Sequence, residues 1–214
     1  MKPELKFAVR RTRAQDWRRV EQVTFKAFNA PPPAGENEGN EALLVTKLRR
    51  SGAYLPELDF VAEFALGRPP GWPLKTPGPP VFANIMYTKS RIEGGGKEWD
   101  ALTFGPLSVL PGFQGRGAGS ALVRASLAEA RALGWRAALI YGHESYYPRF
   151  GFRPAAEFGI STSDGKNFPA FMALPLYEGA LDGVRGRLFI DAAFADLDKE
   201  ESDRLNASLA ADFY

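Results

Sequence analysis

The chain has 214 residues, enough for one ordinary domain with a sizeable core and short for two. Hydrophobic residues make up 45% and charged residues 24%, the balance of a soluble globular protein, and a formal charge of +2 argues against a dedicated nucleic-acid binder. With no cysteine, disulfides, thiolate metal sites and a cysteine nucleophile are excluded, and a single histidine, His143, excludes a multi-histidine metal centre.

Phe7-Ala-Val-Arg-Arg alternates weakly and reads as a first strand. An amphipathic run follows, with Trp17, Val20, Thr24 or Phe25, and Phe28 at helical spacing, until Asn29-Ala-Pro-Pro-Pro stops it. Residues 41–50 fit a second helix buried through Leu44, Val45 and Leu48, closed by Ser51-Gly52. A strand is expected over 58–64. Residues 67–80 then hold six prolines and three glycines, the composition of an insertion rather than a linker, because strand patterns resume at once. Trp72 within it reads as a loop anchor. Residues 81–88 and 99–109 are further strands about a turn at Gly94-Gly-Gly96, all antiparallel neighbours in one sheet.

At Pro111 the pattern changes. Glycines at 115, 117 and 119 lead into a helix whose small apolar residues, Ala118, Ala121, Leu122, Ala125, Ala128 and Leu133, share one face. Gly134 ends it and Ala137-Ala-Leu-Ile-Tyr141 is a buried strand, so residues 102–141 form a βαβ-like unit with a glycine-rich helix entry. Strands near 170–174 and 186–190 follow. A helical tail over about 197–212 docks through Leu205 and Leu209. No stretch approaches the roughly 20 apolar residues of a membrane span, and the charged start lacks the apolar run of a secretory signal. The expectation is a cytoplasmic protein of one domain, 1–214, with neither membrane nor metal.

Glycines remove Cβ atoms where a backbone turns sharply or meets a ligand, and the first amides of a helix lack internal partners and carry partial positive charge. Gln114-Gly-Arg-Gly-Ala-Gly-Ser120 is therefore a candidate seat for a phosphate or pyrophosphate. A Walker loop would need Lys and Ser or Thr after its closing glycine, and Gly117 is followed by Ala118-Gly119. A Rossmann fingerprint would need a third glycine where Ser120 stands.

Leu107-Ser-Val-Leu-Pro-Gly-Phe-Gln-Gly-Arg-Gly-Ala-Gly-Ser120 resembles the acetyl-CoA motif of the GNAT N-acetyltransferase superfamily, with Gln114, Gly117 and Gly119 as its anchors. Tyr146-Tyr-Pro-Arg-Phe-Gly-Phe152 resembles the same superfamily's second signature, a tyrosine four residues before Gly-Phe. Together the motifs span a cofactor-binding core of about 103–154. The resemblance implies an α/β (α+β) GNAT-like fold: a mixed, mostly antiparallel sheet of six to seven strands flanked by helices, with a splayed parallel pair at the cofactor site. It implies acetyl-CoA as cosubstrate and a small amine or a protein amino group as acceptor; the oligomeric state, a homodimer included, stays open. Residue by residue, Leu107, Ser108 and Val109 would face the pantetheine arm, with the Val109 amide donating to the thioester oxygen. Gln114, Gly115, Arg116, Gly117, Ala118, Gly119 and Ser120 would hold the pyrophosphate. Tyr147 would protonate the thiolate, with Arg149 and Phe150 lining or flanking the cofactor and Tyr146 packing. Residues 142–145 lack the asparagine that many members carry there.

Without a cysteine for a thioester intermediate, direct attack in a ternary complex is the expected route. The base stays open among Asp100, Glu98, Glu144, His143 and water, the first two reading more simply as solvated edge residues. The alternative reading is a non-catalytic acyl-CoA-binding or sensing module. A nucleotide-dependent enzyme is a third.

Overall fold

The computed structural model describes residues 5–29, 39–69, 72–75 and 77–213. The proline run expected to stop the first helix lies outside them, as do three residues of the 67–80 insertion.

The first strand and both early helices fall where the periodicity places them: β1 is Phe7–Arg11, α1 Trp17–Phe28 and α2 Glu41–Arg50. The strand expected from residue 58 begins later. Pro56 starts a single 3-10 turn, Pro56–Leu58, and β2 runs Phe60–Phe64. The next two strands are longer than their hydrophobic runs, because β3 is Val81–Gly94 and β4 is Lys97–Val109. Gly95 (φ +57°) and Gly96 (φ +72°) make the two-residue hairpin turn between them, which needs positive φ at both positions.

After β4 come α3 (Ala118–Ala132), β5 (Ala137–Tyr141), the two-residue strands β6 (Arg153–Pro154) and β7 (Ile160–Ser161), then β8 (Phe171–Pro175), β9 (Gly186–Phe189) and α4 (Lys199–Ala210). The sheet has nine strands, two more than the upper expectation, and the pair too short to carry a periodic signal accounts for the excess. Its order is β1-β2-β3-β4-β5-β8-β6, with β9 on the far half of β3 and β7 on β9. Neighbours are antiparallel except β4–β5 and β7–β9.

Helix α3 lies against β3 and β4 through Leu122, Val123, Leu127 and Ala130, which share a core with Phe82, Ile85, Tyr87, Leu102 and Phe104. Each such fully buried Leu or Val contributes about 1.5–3 kcal/mol. A second cluster packs Val20, Val45 and Leu48 of α1 and α2 against Val61, Val81 and Met86. A third joins Ala137 and Leu139 of β5 to Phe171 and Ala173 of β8. The tail helix is capped by Asp198, whose carboxylate accepts from the Glu201 amide at 2.8 Å. Leu209 is buried and Leu205 half-buried. Trp72 sits edge-on to Phe64 at 5.8 Å with the Arg19 guanidinium over its ring, an anchor for the insertion.

Candidate active site

Strands β4 and β5 are paired at Leu102↔Ala138 and Thr103↔Leu139 and then diverge, although β4 continues for six more residues. Two residues of β4, Gly105 and Pro106, face the single Met86 of β3, a bulge that bends the strand. Beyond it, Val109 lies opposite Ala83, and the Leu110 amide donates to the Phe82 carbonyl at 2.9 Å. That bond marks 83↔109 as a non-hydrogen-bonded pair, so the amide and carbonyl of Val109 point away from β3 into the gap. Leu107, two residues earlier and opposite Ile85, points the same way. The gap is thus edged by strand backbone without a strand partner.

The glycine loop closes one end of this gap. Gly115 (φ +70°) and Gly117 (φ +89°) adopt the left-handed conformation, with Gly117 as N-cap of α3. The first intrahelical bond is Ala121 N–H to the Gly117 carbonyl at 2.9 Å, which leaves the amides of Ala118, Gly119 and Ser120 ahead of the ladder. A Cβ on Gly119 would stand 2.9 Å from the Tyr146 hydroxyl and 3.7 and 3.9 Å from Val109 and Leu107 side chains. The helix start, the open edge of β4 and the Tyr146 hydroxyl therefore meet at one glycine. Gln114 ties loop to strand, its Nε2 donating to the Val109 carbonyl at 3.0 Å.

The two tyrosines part company. Tyr146 reaches outward: its hydroxyl is 3.5 Å from Ser120 Oγ, and the Arg149 guanidinium lies 4.6 Å over its ring. Tyr147 turns inward, 7% exposed, edge-on to Phe104 at 5.6 Å and Phe152 at 5.7 Å. Burial first, then the neighbouring Tyr146, pushes the Tyr147 hydroxyl well above the ordinary tyrosine range, so it keeps its proton at neutral pH. Gly142 makes this seat, since a Cβ there would stand 2.3 Å from the Tyr147 ring. An asparagine at that position would collide with the tyrosine.

Other expected residues are dispersed. Ser108 turns away from the gap: its hydroxyl donates to Thr24 Oγ1 at 3.1 Å, beneath α1, and Thr24 donates to Asn84 Oδ1 at 3.3 Å. Arg149 and Phe150 flank the loop, Phe150 edge-on to Tyr146. Asp100 and Glu98 lie toward the far end of β4, on the order of 20 Å from Leu107 at strand rise. Asp100 is paired with Lys89 at 2.9 Å and both acids line a separate groove of about 530 Å³ with Trp99, Trp135 and Tyr177. His143 and Glu144 are exposed just after β5, where the His143 carbonyl accepts from the Tyr146 and Tyr147 amides. One residue at the rim was not singled out from the sequence. Arg124, one turn after Ser120 on α3, lies 5.4 Å over the Phe150 ring and adds a cation to the loop's rim; its i+4 spacing from Ser120 was the available signal. Gln114 acts through its side chain as well as its backbone.

The fold is shared with known proteins. No family model matches the chain. The uncharacterized N-acetyltransferase YjhQ of Escherichia coli K12 is 30% identical over 138 residues, which cover 63% of this chain and 64% of YjhQ. The matched stretch is thus less than two thirds of that relative's length. The GNAT family N-acetyltransferase YhbS of Escherichia coli, solved in complex with CoA, superposes with a TM-score of 0.73 at 23% identity, over 92% of this chain and 97% of YhbS. A GNAT family acetyltransferase of Brucella melitensis, solved with acetyl-CoA, superposes with a TM-score of 0.65 at 29% identity, over 88% of this chain and 97% of that one.

Proposed function

Proceeding from the GNAT fold that this chain carries, we propose that it is an N-acetyltransferase that moves the acetyl group of acetyl-CoA directly to an amine. The observation that supports this most is the meeting of the open β4 edge, the bare start of α3 and the Tyr146 hydroxyl at Gly119, with the buried, protonated Tyr147 packed edge-on against Tyr146 at 5.1 Å. Each supplies one requirement of the reaction.

The amides of Ala118, Gly119 and Ser120 and the helix dipole receive the pyrophosphate, with Arg116, Arg124 and Arg149 on the rim. The exposed edge at Leu107 and Val109 pairs with the amide-bearing pantetheine arm as with an added strand. In the ternary complex the amine nitrogen attacks the acetyl carbon. The Val109 N–H donates to the oxyanion, a contribution of about 2.7–4 kcal/mol where such donors have been removed elsewhere. The N–C bond forms, the C–S bond breaks with its electron pair going to sulfur, and Tyr147 gives its proton to the thiolate. The proton leaving the amine goes to water or to Glu144 or His143 at the mouth. Asp100 and Glu98 are too remote for that part. Arg149 and Phe150 hold Tyr146 against the loop, and Ser108 acts from behind, fixing the strand through Thr24.

The acceptor is a small molecule or a protein amino group. The cysteine-free composition fits a reducing, cytoplasmic setting. Among the described residues no helix is long and apolar enough to cross a membrane. Purified protein with acetyl-CoA and a panel of amines tests the reading: free thiol should appear only when an amine is present. Binding of acetyl-CoA without thiol release under any amine would favour the sensing module instead.

A further inference from the structure

The gap between β4 and β5 opens on two faces of the sheet. One, toward α3, holds Tyr147 and the glycine loop. The other is walled by side chains that the acetyl-transfer reading leaves unused. In β5, Ala138 and Ile140 join the core under α3, whereas Ala137 and Leu139 join the cluster on the opposite face. Tyr141 continues the alternation onto that opposite face, where its cross-strand partner Phe171 stacks on it at 4.9 Å. Phe168 completes the group at 5.9 Å from the Tyr141 ring, held by the turn in which the Phe171 amide donates to the Phe168 carbonyl at 2.9 Å.

Phe171 is fully buried, but Tyr141 is 40% and Phe168 43% exposed. Both are far from the exposure expected of rings in a finished core, and they lie at the exit of the gap. Extending the β4–β5 register from Thr103↔Leu139 sets Gly105 across the divergence from Tyr141. A Cβ on Gly105 would meet nothing within 4 Å, so open space separates the strand from the aromatic wall. Thr103, the last paired residue, shares the side of β4 that carries Ala101 of the opposite-face cluster. It is 2% exposed, and its Oγ1 has no hydrogen-bond partner among the described residues.

We propose that this face is the acceptor subsite and that it selects amines with an aryl or arylalkyl body, the ring lying against Tyr141 and Phe168 and the amino end directed past Gly105 toward the acetyl group. The inference rests on the acetyl-transfer reading and names its substrate class. The wall is aromatic, and Asp164, the acid whose charge is felt at Tyr141, is already engaged by Lys166 at 2.7 Å. Stacking of rings therefore outweighs recognition of a second positive charge.

The test compares 2-phenylethylamine, propylamine and spermidine as acceptors for the full chain and for Phe168→Ala and Tyr141→Ala. The wild type should prefer 2-phenylethylamine. Each variant should lose at least about tenfold in kcat/KM for that amine, the scale on which apolar pockets discriminate. Its KM for acetyl-CoA and its kcat/KM for propylamine should stay within about twofold. Phe168→Trp, which keeps a ring, should retain the preference, and because Phe168 is exposed this variant and the alanine one report without threatening the core. A wild type that prefers spermidine or propylamine, or variants that lose all three amines equally, would overturn the proposal while leaving acetyl transfer standing. If the wild type neither binds acetyl-CoA nor acetylates any amine, the reading beneath it falls, and the inference with it.

Discussion

The two ends of β4 make opposite use of one strand. At Leu102 and Thr103 both edges are hydrogen-bonded, to β3 and β5, and the nearby charges Glu98 and Asp100 are matched by Arg91 and Lys89. Past the bulge at Gly105-Pro106 the β3 edge stays engaged but the other edge, at Leu107 and Val109, faces the gap. The paired end is structure; the splayed end, on the proposed function, is a template for the pantetheine arm. A single bulge suffices to convert one into the other, because it bends the strand away from its parallel neighbour without disturbing the ladder behind it.

The contrast can be broken first at Tyr147, the acid we propose for the splayed end. Tyr147→Phe keeps the ring that packs on Phe104 and Phe152 and removes the proton, so kcat should fall by about 10²–10⁴-fold with little change in thermal stability. Full turnover at saturating substrates would remove Tyr147 from the chemistry. Gly117→Val comes next. It forces a β-branched residue into φ +89°, a strain of about 1–2 kcal/mol, and displaces the amides behind it. Affinity for acetyl-CoA, read by calorimetry, should weaken by about 100-fold, a loss of about 2.7 kcal/mol. Gly134→Ala, at φ +79° but at the other end of α3, should cost similar stability and leave that affinity intact.

Smaller effects sharpen the comparison. Tyr87, fully buried beneath α3 with its hydroxyl 3.0 Å from Ser126 Oγ, has its ionisation pushed upward by burial. A raised native value means that its stabilising contribution is complete below the unfolded tyrosine value of about 10 and is lost as pH rises beyond it. Tyr87→Phe should therefore cost about 1 kcal/mol at neutral pH. In denaturant titrations the difference from wild type should narrow above pH 10. Smallest of all, Asp100→Asn should change kcat/KM by less than about twofold and stability by at most about 1 kcal/mol, since the Lys89 pair is exposed. A hundredfold loss of turnover would return Asp100 to the mechanism.

Much of this was legible in advance. Helical periodicity placed α1, α2 and α3, and the glycines announced the start of α3, because both signals are local; the buried face of α3, however, runs through Leu122, Val123, Leu127 and Ala130 and leaves Ala128 and Leu133 exposed. The strands β6 and β7 were not legible: two residues give no alternation, and only contacts with β8 and β9 make them strands. For the candidate site, motif spacing pointed to the loop and to Tyr147, whereas the Ser108 hydroxyl turns to Thr24 instead of the gap. Alternation at the splayed end sends the backbone of Leu107 and Val109 into the gap and leaves Ser108 facing β3 and Thr24. The bulge decides that phase, and a bulge depends on the partner strand. Asp100 and Glu98 sit as the solvated edge residues they read as: they share a strand with the candidate site but stand at its other end, and sequence proximity along β4 hides about 20 Å of separation.

Amide hydrogen exchange along β4 and into α3, measured with and without saturating acetyl-CoA, tests the central claim most directly. Exchange should slow at Leu107 and Val109 and at Ala118, Gly119 and Ser120, while residues 97–103 remain as they were. Unchanged exchange at those five amides under saturating ligand, or protection confined to the paired end, would contradict it.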